Sequence, residues 1–473
     1  MKLKRIFTLA VAICMSLIVF VGCGPQDYEV DPYGRPVLHL LWDQLTFVLG
    51  NDLPAVIESD RASIAAGLFP DPVRSEQMIF NTEVMIERAD ARGVALRASN
   101  LGWNQMLTQS LLQSFMVGYG PDVIQGEEQL PDFIRRGYLV PFPEDLAARI
   151  RETVSPIAFS GLETNGKLYG LAINPGVTLL YWNRAILRQA FPNYVTDETH
   201  RRIVYDGPRD WAEWEHAMYR VDRHVGAYRG IPRAGGVYVG PNPGGYLRVG
   251  ALMDANGGYF ADAQGRPAIN TPENRETFEF IRRKTQFNSN GIINASAEST
   301  YTGAFRQGEI AYMVCGSWMM HELTRQGMDF GVSLLPPRVA GGRPGTFTIG
   351  AAYMAVPTYT PHRAHAFYLI EAMLDQRIQD SIASVGFRLP VLKDSITSEE
   401  FRDAHPRSYE FANFAMNNTV RGLPPFDGRR VSDIWFQMDV IFSDIFSFVA
   451  NPHPVQNILD TAQGRMMTAY NTR

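Results

Sequence analysis

Lysine is nearly missing from this chain. Of 473 residues only Lys2, Lys4, Lys167, Lys284 and Lys393 are lysines, and the rest of the 44 basic residues are arginine. Amine chemistry through a Schiff base therefore has few candidates, whereas bidentate arginine contacts have many. A basic excess is missing too. The 44 basic residues face 49 acidic ones, a net charge of −5, which argues against nucleic acid as the main partner because neutralising phosphates takes a basic surface. No Gly-x-Ser-x-Gly elbow anchors an acyl-transfer triad. Gly235-Gly236 and Gly244-Gly245 lack the spacing of a phosphate cradle. His362 and His365 sit three apart at a helix start, but two ligands do not close a zinc site, and neither a cysteine nor a glutamate cluster completes one. No cofactor or metal is expected. Internal repeats, heptads and low-complexity tracts are absent as well. What is present is apolar: 45% hydrophobic against 20% charged residues, ample for a packed core and inconsistent with disorder. The length exceeds the roughly 250–300 residues at which single cores stop growing, so two lobes are expected.

Long apolar runs occur once. Lys2, Lys4 and Arg5 precede an unbroken apolar or small run from Ile6 to Val21, the charged and hydrophobic regions of a secretory signal. Its 16 residues are short for a span of about 20. The run ends Phe20-Val21-Gly22-Cys23, which resembles the bacterial lipobox with phenylalanine in place of the usual leucine. Residues 1–22 then form a signal peptide, Cys23 carries the lipid, and residues 23–36 are a tether to the membrane. Removing the signal leaves 41 basic against 49 acidic residues. Cys14 would leave with it, so Cys315 stands alone without a disulfide partner. It lies in Ile310-Ala311-Tyr312-Met313-Val314-Cys315 and reads as a small buried hydrophobe.

Val37-Leu38-His39-Leu40-Leu41 reads as a buried strand, Glu76 to Ala91 as a helix, and Val94-Ala95-Leu96 as a second strand. Trp103 to Met116 has helical spacing of Met106, Leu107, Leu111 and Phe115, and Asp122-Val123-Ile124 makes a third strand. This β-α-β-α-β order implies a parallel sheet with right-handed crossovers and ligands beyond the carboxyl ends of its strands. Those ends are Trp42-Asp43-Gln44, Ser99-Asn100 and Gln125-Gly126-Glu127-Glu128. Thr46 to Ser75 reads as an irregular insertion. A second set of elements follows Leu168: the strand Val177 to Asn183, a helix opened by Thr271-Pro272-Glu273, and the strand Ile310 to Val314 before Gly316-Ser317-Trp318. Pro361 to Val385 reads as one periodic helix, and Val431 to Phe448 as the last. Two α/β lobes follow.

Several segments, in one shared order, resemble the family 1 extracellular solute-binding proteins, the sugar-binding subunits of ABC importers. Gly120-Pro121-Asp122-Val123-Ile124 is similar to that family's G-x-P-D-V strand, followed by Phe133 to Phe142. Gly166 to Leu171, with Leu180-Tyr181-Trp182-Asn183, looks like its crossover into the second lobe. Pro208-Arg209-Asp210-Trp211-Ala212-Glu213-Trp214 is similar to P-x-T-W-x-E-w, with Asp210 for threonine. Phe305 to Met313 with Gly316-Ser317-Trp318, then Gly331-Val332 and Leu335-Pro336, complete the match.

The resemblance implies the two-lobed periplasmic-binding-protein fold (class II, maltose-binding-protein-like) of α/β type, with a hinge of crossing segments and a cleft between lobes. The crossings are expected near Ile173-Asn174-Pro175, Ile349-Gly350-Ala351 and Phe387-Arg388-Leu389-Pro390. Lobe one would be 37–173 with 352–388, and lobe two 174–351 with 389–473. A sugar offers hydroxyls in its plane and apolar faces above and below, so its site needs aromatic platforms and planar polar side chains. Trp318 is where the family commonly places a stacking tryptophan. Trp435 or Phe426 would be a second aromatic, and Trp42, at the end of the first strand, is either a cleft wall or a core residue. Trp182, Trp211 and Trp214 read as packing. Asp43, Gln44, Gln125, Glu127, Glu128, Asn174 and Tyr246 complete the expected ligand contacts. Glu127 and Glu128 also raise glycosidase chemistry, but that needs two carboxyls about 5–9.5 Å apart across the bond, and adjacent side chains diverge. The expected protein is a non-enzymatic monomer, lipid-anchored outside the cytoplasm, that hands a mono- or oligosaccharide to an ABC permease. The alternatives are a surface-anchored carbohydrate-active enzyme and the same fold with a non-sugar solute.

Overall fold

The computed structural model describes residues 29–42, 53–68, 71–99, 105–127, 129–159, 161–228, 231–232, 234–236, 243–287, 298–385, 388–422, 431–446 and 453–472. The signal segment, Cys23, Asp43, Gln44, Glu128 and Phe426 lie outside them.

The first sheet begins with strand Val37–Leu41, paired in parallel with Ala95–Ser99. The helix between them, Pro72–Ala91, starts four residues before the expected Glu76 because Asp71 caps it, accepting from the Arg74 N–H at 3.2 Å, and Pro72 supplies a ready-made first turn. A parallel bridge from Leu40 to Val123 adds strand Ile124–Gly126. The sheet is completed from far along the chain. Strand Tyr353–Pro357 runs antiparallel beside Ile124–Gly126, Leu139–Val140 and Leu171–Ala172. Leu38, Leu40, Trp42, Val84, Met85, Met354 and Ile370 fill one side of it.

The second sheet is built around Gly176–Asn183, a strand buried along its whole length. Tyr312–Gly316 and Phe330–Ser333 flank it antiparallel, and Thr348–Ile349 pairs with its start. Trp182 and Trp214 are buried in its core, and the Trp182 and Trp211 indoles donate to the carbonyls of Val204 and Pro336, both at 2.9 Å. Asp210 serves where threonine is commoner, its carboxylate accepting from the Glu213 N–H at 2.8 Å to cap helix Trp211–His224. Cys315 is buried, and Arg248 Nη2 donates to its Sγ at 3.5 Å.

Two readings of the sequence need correction. The stretch from Pro361 to Val385 is two helices, Arg363–Ala372 and Gln376–Val385. Asp375 breaks it by capping the second, its carboxylate accepting from the Arg377 N–H at 2.9 Å. The Thr46–Ser75 insertion is not irregular where described, since it holds helix Leu53–Ala65 and leads into Asp71.

The chain leaves the first sheet at Ala172 and enters the second at Gly176, and comes back from Ile349 to Tyr353. Ile349 pairs with Gly176 and Tyr353 with Ala172. The register is continuous across the gap, so the two crossings form one antiparallel ribbon with Ala351 opposite Asn174. A third crossing runs beside it, where the Leu389 N–H donates to the Pro175 carbonyl at 3.3 Å.

Candidate functional site

The hinge ribbon joins the two sheets: strand Ile124–Gly126 reaches it by its carboxyl end, and strand Gly176–Asn183 leaves it by its amino end. Strand Ile124–Gly126 ends there with Gln125, buried, and Glu127, half-buried. Strands stop pairing at their ends, so side chains placed just beyond them meet the cleft. Glu127 Oε1 accepts from the Ala351 N–H at 3.1 Å, so a lobe-one carboxylate is fastened to the middle of the hinge. Tyr353 stands beside it, opposite Gly126. Burial, then the negative charge of Glu127 and the neighbouring Tyr259, push the Tyr353 hydroxyl far above the ordinary tyrosine range. It remains protonated and able to donate.

Tyr259 comes from the second lobe. Its hydroxyl donates to the Gly422 carbonyl at 2.9 Å and its ring lies under the Arg421 guanidinium, 4.7 Å from carbon to centroid. Burial raises its pKa as well, against the pull of Arg421. Trp318 meets all three crossings. Its six-membered ring packs on Gly316, where a Cβ would lie 1.9 Å from a ring carbon, and on Gly176 and Gly350. Arg388 of the third crossing covers the ring at 4.8 Å from its centroid and donates Nη1 to the Gly350 carbonyl at 2.8 Å. Gly350 has φ +60°, a left-handed conformation that favours glycine. Asn174 is fully buried opposite Ala351, and neither of its amide atoms has a hydrogen-bond partner.

The structure thus brings Gln125, Glu127, Asn174 and Trp318 to the hinge. Trp435 is half-buried on helix Val431–Phe446. Two expected site residues are elsewhere. Trp42 is fully buried in lobe one because the ladder runs one residue further than expected, the Trp42 N–H donating to the Ser99 carbonyl at 3.1 Å. Tyr246 is 4% exposed, stacked on Trp435 at 5.7 Å, with its hydroxyl donating to Asp439. It backs Trp435 from behind. Tyr259, Tyr353, Arg388 and Arg421 are near the hinge without being among the expected contacts. Only Arg388 carried a sequence signal, its place on an expected crossing. Among the described residues no group of three His, Cys, Asp or Glu is arranged to hold a metal, and no helix is long and apolar enough to cross a membrane.

An acceptor carboxylate, tyrosine hydroxyls and aromatic rings from both lobes are groups that can address a neutral, hydroxyl-rich solute.

Comparison with known proteins bears on this geometry. The family model described as bacterial extracellular solute-binding protein matches residues 88–406. A maltotriose-binding protein of Pyrococcus abyssi (strain GE5 / Orsay) is 23% identical over 345 residues, 72% of this chain and 69% of that protein. Among solved structures, the GacH receptor of Streptomyces glaucescens GLA.O, studied unliganded and with acarbose, aligns with TM-score 0.65 at 16% identity, over 92% of this chain and 99% of the other. A cyclic α-maltosyl-1,6-maltose binding protein from Arthrobacter globiformis aligns with TM-score 0.65 at 18% identity, again over 92% and 99%. At these identities the structural likeness is one of fold: two lobes, maltose-binding-protein-like.

Proposed function

The chain belongs to the bacterial extracellular solute-binding protein family, and from that membership and the hinge geometry we infer that it captures a carbohydrate outside the cytoplasm and delivers it to an ABC permease. The observation that carries the reading is the meeting at one hinge of Glu127 and Tyr353 from lobe one with Tyr259 and Trp318 from lobe two. Carboxylate and phenol address hydroxyls in the plane of a pyranose, and aromatic surfaces address its C–H faces. The likeness to proteins described as binding maltotriose and cyclic maltosyl-maltose supports an α-linked glucose oligomer as ligand. Closure is driven by contacts that the sugar makes only when both lobes reach it.

The reading includes no catalytic step. It takes the protein as a monomer, with lobes divided at 173/174, 351/352 and 388/389, held to the membrane by a lipid on Cys23. One acyl chain binds membranes only marginally, so lasting attachment takes the two or three chains of a bacterial lipoprotein. Gln125, Asn174 and Trp435 complete the contact set. Calorimetric titration with maltose, maltotriose, mannotriose and acarbose tests the ligand. Saturable binding of at least one supports it, and no heat from any of them refutes it. Cys23→Ser should release soluble protein or leave uncleaved precursor, and an unchanged membrane-bound product would refute the anchor.

A further inference from the structure

Beside the hinge groups, lobe two holds a cavity of about 340 Å³, inside the range of small-ligand pockets, roughly 300–1,000 Å³. It lies beyond the carboxyl end of strand Phe330–Ser333, which runs antiparallel to Gly176–Asn183 and so points back toward the hinge. One wall is the end of helix Pro243–Ala255, and another is the loop from Pro337 to Arg343. Arg421 stands on the side nearest the ribbon. Its carbonyl accepts from the Thr348 N–H at 2.8 Å, and its guanidinium covers the Tyr259 ring. Tyr259 in turn is close enough to act on the Tyr353 hydroxyl, so the cavity adjoins the hinge groups through Arg421.

The cavity is lined by three arginines, Arg338, Arg343 and Arg421, against one carboxylate, Asp254. Two of the arginines are satisfied. Arg343 Nη1 is 2.9 Å from both oxygens of the buried Asp254, and its Nη2 donates to the Thr419 carbonyl at 3.0 Å. Arg338 is paired with Glu276, its Nε 2.9 Å from the carboxylate. Arg421 differs from both. Its guanidinium is exposed, lies 4.7 Å from the Tyr259 centroid, and has no carboxylate partner among the described residues. Setting Arg343 against Asp254 and Arg338 against Glu276 leaves one positive charge, on Arg421, in a chain of net charge −5. An exposed arginine needs no partner to be stable. What points to a ligand is its fixed place on a cavity of ligand size. Stacking on a ring holds the plane of a guanidinium and its fork of N–H donors, the geometry that takes a carboxylate or phosphate by two parallel bonds.

We propose that this cavity is an outer subsite for an anionic group, a carboxylate or a phosphate, carried by the saccharide, and that Arg421 is the residue that selects it. The proposal rests on the carbohydrate reading and names a part of the ligand which that reading leaves open. Neutral rings of the saccharide meet Glu127, Tyr353 and Tyr259, and its charged end meets Arg421. The walls of the subsite are fixed in advance. Arg343 ties the end of helix Pro243–Ala255 to the Thr419 carbonyl, and the Arg338 N–H donates to the Ala255 carbonyl at 3.3 Å. Little loop ordering is then charged against binding. Because Arg421 is exposed, its preference for an anion weakens as salt screens it.

The test is calorimetric titration of the Cys23→Ser chain with maltotriose, maltotrionate, trigalacturonate and maltose 1-phosphate, at low and at physiological ionic strength. At low ionic strength at least one of the acids should bind about tenfold more tightly than maltotriose, and the advantage should shrink at physiological salt. Which acid is preferred separates carboxylate from phosphate. Arg421→Gln should abolish the preference, and Arg421→Lys, which keeps the charge without the fork, should restore part of it. Val339→Glu puts a competing carboxylate at an exposed position on the cavity wall and leaves Arg421 on its ring. It should also abolish the preference, and it serves if Arg421→Gln does not fold. Arg149→Gln removes the same charge from helix Glu144–Thr153 of lobe one and should keep the preference. No acid preference in the parent, or one that survives Arg421→Gln or Val339→Glu, would overturn the subsite. Saturable maltotriose binding without any acid preference would leave the carbohydrate reading standing and remove the subsite alone.

Discussion

Trp318→Ala separates packing from ligand contact before any ligand is known. The ring is half-buried and bounded by Gly316, Gly176, Gly350 and the Arg388 guanidinium. Alanine leaves a hole whose walls are glycine backbone, which has no side chain to relax into it. Complete burial of a tryptophan makes its deletion cost ~3–5 kcal/mol, and partial exposure of this one lowers that. The lost cation–π contact with Arg388 adds ~1 kcal/mol at a partly desolvated site. The sum is about 2–4 kcal/mol. For lobes of this size each kcal/mol shifts melting by about 2–4 °C, so the ligand-free variant should melt roughly 5–10 °C lower. Trp318→Phe keeps a ring under Arg388 and should lose less than half of that. Scanning calorimetry of both variants without sugar makes the measurement. Melting within about 1 °C of the parent, combined with at least tenfold weaker maltotriose binding, would show a bare sugar platform and refute the packing argument.

Gly350→Ala places a Cβ 2.5 Å from Arg388 Nη1 and 3.0 Å from the Trp318 ring at φ +60°, and should cost about 1–3 kcal/mol in urea unfolding. Burial alone would raise the Asp375 carboxyl, but hydrogen bonds from Arg377 and Arg88 outweigh it and hold the pKa at about 2. Its stabilisation is therefore present at neutral pH and lost as pH falls from about 4 to about 2; Asp375→Asn should forfeit about 1–2 kcal/mol at pH 7 after screening by solvent around the arginines, and flatten that acid limb. Burial, assisted by Arg97, lowers the His39 pKa to about 4. The fold then holds a neutral ring while the unfolded chain takes up a proton, so stability should fall as pH drops from about 6.5 to about 4, a slope absent in His39→Gln.

Local pattern was enough for elements whose partners are near in sequence. The buried strand Val37–Leu41 and the capped helix Pro272–Phe287 are legible because apolar runs and caps act within a few residues. Strand Tyr353–Pro357 has a short apolar run as well, but its partners at Gly126 and Ala172 are far away in the chain, and nothing local announces them. The break at Asp375 hid for the opposite reason. Phe367, Ile370, Met373, Leu374 and Ile378 keep a helical rhythm straight through it. Trp42 is buried by one further residue of ladder, and Tyr246 by packing against Trp435. Those are the scales on which exposure is decided by tertiary neighbours.

Tyr259 and Tyr353 were illegible for a reason that bears on how the protein works. Each is one of 20 tyrosines, and what distinguishes these two is that the fold brings Tyr259 close enough to act on the hydroxyl of Tyr353 at the end of the hinge ribbon. The ribbon's register is continuous from Ala172 to Gly176 against Tyr353 to Ile349, yet at its centre the Ala351 N–H goes to Glu127 instead of across the ribbon. The ladder is therefore weakest where the lobes must turn. On the proposed reading Glu127 is both a contact for the sugar and the group that holds that weak point. A sugar hydroxyl that draws on Glu127 must then alter the hinge it is fastened to. Affinity measured for any Glu127 variant will contain the change in closure as well as the lost contact. Only lobe separation measured without sugar, beside the binding constant, divides the two.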